Sequence, residues 1–223
     1  MAASDGTPDC IQLKAAVPRS DRPPPFEDDV TFSEAFVETI LGLYTRPGDV
    51  ILDPFVGFGT TVAVAERMDR VAFGVELLDE RADYARSRVR YPERIITGDA
   101  RSIADLALPA CDFSLTSPPF MTRENHPQNP LDGYRSFDGD YETYLAELRD
   151  IYRQLRTILK PDAIAVVNAA NLRDSSGATF LAWDICRHVA AVMRFETEIP
   201  ICWDYSHPAV IQDYCLVFRN REP

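Results

Sequence analysis

The sequence predicts an α/β fold, a seven-stranded and mostly parallel sheet with helices on both faces and a C-terminal antiparallel hairpin. Short apolar runs alternate with segments of helical period, and glycine or proline turns separate the two. The last two runs, Glu198–Trp203 and Tyr214–Phe218, follow one another with no helix between them, so they most simply pair antiparallel.

Residues 1–30 read as a flexible, proline-rich arm, because Pro8, Pro18 and Pro23–Pro25 stand among small and acidic residues that bury little apolar surface. Residues 31–223 read as one domain. In it Ser33 can cap a helix whose inner face is Phe36, Ile40 and Leu43, and Pro47-Gly48 stops that helix. Val50–Leu52 is the first strand, and a helix over 60–68 follows a glycine loop. Val71–Glu76 is a second strand; Leu78, Ala82, Ala85 and Val89 mark the next helix. Ile95-Ile96 and Phe113–Leu115 are the third and fourth strands. Tyr144, Leu148, Ile151, Leu155 and Ile158 form an apolar stripe ended by Pro161, Ala163–Asn168 is the fifth strand, and Leu181, Ile185, Val189 and Val192 give the last helix.

With 223 residues, 46% hydrophobic and 26% charged, the chain can build a large core without metal or cross-links. A net charge of −12 disfavours indiscriminate adhesion to nucleic acid or anionic membrane. Cys10, Cys111, Cys186, Cys202 and Cys215 include no CxxC pair and four lie in apolar runs, so buried reduced thiols and a cytoplasmic protein are expected. Three scattered histidines suggest no metal site, and His188 reads as a satisfied core residue. No window reaches the ~18 unbroken apolar residues of a membrane span, and Met1–Cys10 lacks the basic start and apolar core of a signal peptide.

Two strings carry chemistry. Asp53-Pro54-Phe55-Val56-Gly57-Phe58-Gly59-Thr60-Thr61 lies directly after a strand and before a helix. Its glycines let backbone approach a ligand, the helix N-terminus offers N–H groups to a carboxylate, and Asp53 can hold an ammonium. A ligand with both groups on one carbon is an amino acid, which points to the methionine end of S-adenosyl-L-methionine. A tight turn with a structural aspartate is the alternative. Glu76 stands near the offset at which an acid binds ribose hydroxyls, and Asp99 can accept from an adenine amino group or simply cap the following turn.

The second string, Thr116-Ser117-Pro118-Pro119-Phe120, follows the fourth strand. Its two prolines remove donors and leave carbonyl oxygens facing outward in a rigid loop. An exocyclic amine on an aromatic base is a poor nucleophile because its lone pair is delocalised. Acceptors such as Ser117 Oγ and the Pro118 carbonyl favour a pyramidal nitrogen, and Phe120 can stack on the base. A proline-rich turn with a core phenylalanine is the bland alternative.

Together the strings resemble the S-adenosylmethionine-dependent amino-methyltransferases of DNA, the N4-cytosine and N6-adenine family. Asp53–Thr61 is similar to that family's DPFxGSGTT string, with Phe58 in place of serine, and Thr116–Phe120 to its TSPPY/F string. The resemblance covers roughly residues 30–220 and implies a Rossmann-like class I methyltransferase domain. It implies cofactor contacts from Phe32, Asp53, Phe55, Gly57, Gly59, Thr60, Thr61, Glu76, Leu77, Asp99 and Ala100, and catalysis by Ser117, Pro118, Pro119 and Phe120. A serine at position 117 goes with cytosine N4 in this family. The implied partner is nucleic acid, DNA preferred and RNA the alternative, with neither membrane nor metal; a small cytosine-like metabolite and an inactive cofactor-binding subunit are further readings.

The cofactor string precedes the catalytic one here, and no target-recognition domain is visible in the sequence. The one long loop, 121–140, offers Arg123, Asn125, His126 and Arg135 as substrate contacts, and Trp203 and Tyr205 can stack on a base or, for Trp203, pack in the core. Arg149, Arg153, Arg156 and Lys160 form a helix stripe that reads as a solvated, partly paired face.

Overall fold

Ser33 does cap the first helix, accepting from the Phe36 N–H at 3.1 Å, and α1 runs Glu34–Tyr44. The computed structural model describes residues 8–14, 33–122, 128–133, 135, 139–173, 177–205 and 208–223. The buried face of α1 is Phe36, Val37, Ile40 and Leu41, whereas Leu43 is exposed. One helical step separates Leu41 from Val37, so the stripe turns away from Leu43.

The expected alternation follows in order: β2 (Val50–Asp53), α2 (Thr60–Arg67), β3 (Val71–Glu76), α3 (Asp79–Arg88), β4 (Ile95–Thr97), β5 (Cys111–Thr116), α4 (Tyr141–Ile158), β6 (Leu159–Arg173), α5 (Leu181–Ala190), β8 (Arg194–Trp203) and β9 (Val210–Arg219). Two short strands join them, β1 (Ile11–Leu13) and β7 (Ala178–Thr179). The sheet order is β1-β8-β9-β6-β5-β2-β3-β4, with β7 paired to β6. β2 to β6 are mutually parallel, and β9 lies antiparallel between β6 and β8. The seven expected strands are all present, and the closing hairpin is as expected. The sheet is Rossmann-like, mostly parallel with an antiparallel C-terminal hairpin.

Several boundaries differ from the sequence expectation. β6 is far longer than Ala163–Asn168 because pairing with β9 continues from Ile164 to Leu172. α4 stops at Ile158, before Pro161, and the chain turns through Asp162 at φ 63°. The arm contributes β1, parallel to β8 with Ile11 opposite Ile201 and Leu13 opposite Trp203. Composition hid this strand, since only three residues pair and both buried ones, Ile11 and Leu13, lean on a neighbour remote in sequence. The thiols are not uniformly buried either: Cys111 and Cys215 are, Cys202 is exposed. His188 is half-buried, with Nδ1 out of solvent and unpaired among the described residues.

Apolar residues fill both faces. Phe36, Ile40, Val62, Ala82 and Ala85 of α1, α2 and α3 pack on Ile51, Phe113 and Val166. Tyr144, Leu148, Ile151 and Leu155 of α4 pack with α5 on Leu52, Val75 and Val167. Each such fully buried side chain contributes roughly 1.5–3 kcal/mol, which is why α4 keeps its stripe inward over its whole length. No helix among the described residues is long and apolar enough to cross a membrane.

Candidate active site

Strand β2 lies between β3 and β5, so the chain progresses away from it in both directions and a crevice opens outside the carboxyl ends of β2 and β5. Both motifs end there. Asp53 closes β2, Thr116 closes β5, and Thr116 Oγ1 donates to Asp53 Oδ1 at 2.6 Å. The Phe55 N–H donates to the same oxygen at 3.0 Å. This bond ties the glycine loop to the Ser-Pro-Pro loop in one wall.

The wall belongs to a cavity of about 520 Å³. From the glycine loop Asp53, Phe55, Gly57, Thr60 and Thr61 line it; from the ends of β3 and β4 come Glu76, Leu77, Asp99 and Ala100. Ser117, Pro118, Pro119 and Phe120 line it from the β5 side. Gly59 stands behind the wall: it caps α2 at φ 80°, and a Cβ there would fall 2.9 Å from Ala85 Cβ. Arg135 is exposed, receives nothing from the cavity, and donates its backbone N–H to the Asp132 carboxylate at 2.9 Å. Phe32, Arg123, Asn125 and His126 lie outside the described residues. The described part of the long loop contributes an apolar rim instead, Pro130, Leu131 and Gly133.

Three acids have roles finer than the sequence indicated. Asp53 is 2% exposed and faces no cation among the described residues; burial lifts its pKa to about 6. Glu76 accepts from the N–H groups of Gly57 at 3.0 Å and Leu78 at 2.9 Å, so it pins the glycine loop to β3 while lining the cavity, and burial raises its pKa. Asp99 does cap its turn, through the Arg101 N–H at 2.8 Å, and also pairs with the Arg101 guanidinium at 2.7 Å. On the β5 side the Tyr144 hydroxyl donates to the Pro119 carbonyl at 2.9 Å, which holds the proline loop against α4 and leaves Ser117 exposed to the cavity.

Phe58, the departure from the family string, is buried and meets Tyr84 edge-on with ring centroids 5.5 Å apart. The Arg81 guanidinium sits 5.4 Å above its ring and lines the cavity. The ring therefore replaces serine as an anchor for the loop on α3. Sequence reasoning missed Arg81, Asn168 and Asp213 as cavity residues; Trp203, one of two readings given above, also lines it. The stripe Arg149, Arg153, Arg156 and Lys160 is paired with Asp150, Glu222 and Asp112.

The donors suit a ligand with a positive centre and an amino-acid end. Asp53 offers a buried carboxylate with no cation beside it among the described residues, the first turn of α2 keeps N–H groups without intrahelical partners, and Leu77, Leu78 and Phe36 supply apolar surface. Residues 21–87 match the family model described as DNA methylase. Over that stretch the chain is similar to DNA methylases. It is 41% identical over 54 residues to the type II methyltransferase M.BglII of Bacillus subtilis, covering 24% of this chain and 15% of that protein. With the type II methyltransferase M.SmaI of Serratia marcescens it shares 37% over 67 residues, 30% of this chain and 23% of the relative. The aligned stretch thus spans less than a quarter of either relative's length. Among solved structures, TrmN from Thermus thermophilus superposes with a TM-score of 0.61 at 19% identity, over 86% of this chain and 50% of that one. A SAM-dependent methyltransferase from Methanosarcina mazei gives 0.58 at 14% identity, over 82% and 98%. These likenesses establish the fold.

Proposed function

We propose that this chain transfers a methyl group from S-adenosyl-L-methionine to an exocyclic amino group of a nucleic-acid base, with cytosine N4 in DNA the preferred target. The observation that carries the reading is the Thr116–Asp53 bond of 2.6 Å, which joins a loop suited to an amino-acid-bearing cofactor to a loop suited to an amine. The DNA methylase family match over residues 21–87, which contains the first of these loops, supports it.

The cofactor supplies an electrophilic methyl on a sulfonium. Asp53 would hold its ammonium, Glu76 its ribose hydroxyls and Asp99 with Ala100 its base edge, while the first turn of α2 meets its carboxylate. Ser117 Oγ and the Pro118 carbonyl would accept from the substrate amine. That would draw the nitrogen lone pair out of the ring and free it to take the methyl group that the cofactor supplies. The extra proton on nitrogen then leaves to water. Phe120 would stack on the ring and Pro119, held by Tyr144, keeps the loop rigid. Serine at position 117 favours cytosine over adenine within the family the chain resembles.

The chain's net charge of −12 favours a second reading, the same chemistry on a small cytosine-like molecule. Labelled-methyl transfer to DNA, RNA and free nucleosides in parallel separates the two. Ser117→Ala and Phe120→Ala are expected to slow transfer about tenfold or more at saturating cofactor while cofactor affinity stays within a few-fold. A Ser117→Ala protein of full rate removes the acceptor role.

A further inference from the structure

Beyond Ser117, the cavity wall continues across the sheet through residues that no motif announces. Val167 of β6 is the register partner of Thr116, so Asn168 stands level with Ser117 on the adjacent strand. Asp213, on β9 beside it, and Trp203, at the end of β8, complete this side of the cavity.

Hydrogen bonds fix how these groups point. Asn168 Nδ2 donates to Asp213 Oδ1 at 2.7 Å and to the Tyr214 carbonyl at 3.1 Å. Both partners are acceptors, so the amide cannot be turned over and its carbonyl oxygen is directed away from them. Asp213 Oδ1 also receives the Tyr214 N–H at 3.1 Å, which fills it, and Oδ2 receives Trp203 Nε1 at 3.0 Å, which leaves that oxygen one lone pair. Among the described residues no donor meets the Asn168 carbonyl. Burial raises the pKa of Asp213, a sign that its carboxylate sits out of bulk water.

We propose that Asn168 Oδ1 and Asp213 Oδ2 form an acceptor pair next to Ser117 that binds the N–H edge of the substrate and selects a base bearing an amino group over the same base bearing a carbonyl. The inference rests on the function proposed above and extends it from the catalytic loop to substrate choice. An oxo base turns a carbonyl lone pair towards these two oxygens and brings only the single ring N–H beside it, whereas an amine brings two N–H donors that these oxygens share with the catalytic loop. Asn168 and Asp213 are positioning residues: they orient the amine on which Ser117 acts. Trp203, bonded to Asp213, holds the carboxylate in register.

The test is equilibrium binding of single-stranded oligonucleotides that differ at one base, cytosine against uracil and adenine against hypoxanthine, at salt high enough to suppress phosphate-only binding. The wild-type protein should prefer one amino-bearing strand to its oxo partner by about tenfold or more. Asn168→Ala and Asp213→Ala should each shrink that ratio to about threefold or less, with the melting temperature and S-adenosylmethionine affinity held, and Asp213→Glu should recover part of it. If Asp213→Ala does not fold, Asn168→Ala decides alone. Folded variants that keep the full ratio, or a wild type without one, overturn the inference. Failure of methyl transfer to every acceptor would instead strike the function proposed above.

Discussion

At Asp53 the fold sets stability against binding. Burial lifts its pKa from the ordinary 3.8 to about 6, so the ligand-free protein holds the neutral acid only up to about pH 6. A raised carboxyl pKa means stability present below the unfolded value and lost as pH rises through about 6. By pH 8 the ionised group then costs up to about 3 kcal/mol. Asp53→Asn should therefore melt higher than wild type at pH 8 in the absence of ligand, and the gap should close near pH 4. The same variant should bind S-adenosylmethionine at least about tenfold more weakly, because an amide cannot pair with an ammonium as a carboxylate does. Melting curves across pH with calorimetry at one pH check both halves; equal affinities would take Asp53 out of the cofactor site. The aspartate was legible as a site residue because it ends a strand before a glycine loop, whereas its burial without a cation was not, since that depends on what β5 places beside it.

Among elements, β1 is one that the sequence concealed, and it brings an exposed chemistry with it. Cys10, just before β1, and Cys202, near the end of β8, have sulfurs 2.6 Å apart. The neighbouring thiol, by hydrogen bonding, holds the Cys10 pKa above its ordinary 9.0, so thiolate is scarce at neutral pH. Incubation with oxidised glutathione should convert the two thiols to a disulfide, releasing two reduced glutathione molecules, slowly near pH 7 and faster as pH passes 9. Intact mass should fall by two hydrogens, and the melting temperature should rise because the link closes a loop spanning most of the chain. A Cys10→Ser protein that loses the same mass under the same treatment would assign the reaction to other cysteines. The long helices and the seven expected strands announced themselves through local chemistry. Ser33 caps α1 and the α4 stripe is buried as spaced, but Leu43 turned outward because Val37 and Leu41 set the buried face of α1, and β6 outran its apolar run because its register with β9 carries it on.

At the scale of the whole molecule, charge bears on substrate. The net charge is −12, and the basic stripe of Arg153, Arg156 and Lys160 is engaged with Asp150, Glu222 and Asp112. Polymer binding should therefore rest on few phosphate contacts, with affinity for a single-stranded oligonucleotide falling only shallowly between about 50 and 200 mM salt and exceeding that for the duplex, where a base costs a few kcal/mol to extract. Methylation of one oligonucleotide in both strand states at two salt concentrations measures this, and tight, duplex-preferring binding with a steep salt slope would contradict it. The sequence by itself determined the strand and helix alternation, the hairpin and the two loops, because these depend on residues adjacent in the chain: a cap three positions from its acceptor, glycines within a turn, prolines within a loop. Only the tertiary structure decided that Phe58 would carry Arg81, that Thr116 would bond Asp53, and that Asn168, Asp213 and Trp203 would share a wall with Ser117. Those contacts join strands far apart in sequence, and their partners are chosen by sheet order and register, which no local pattern of side chains encodes.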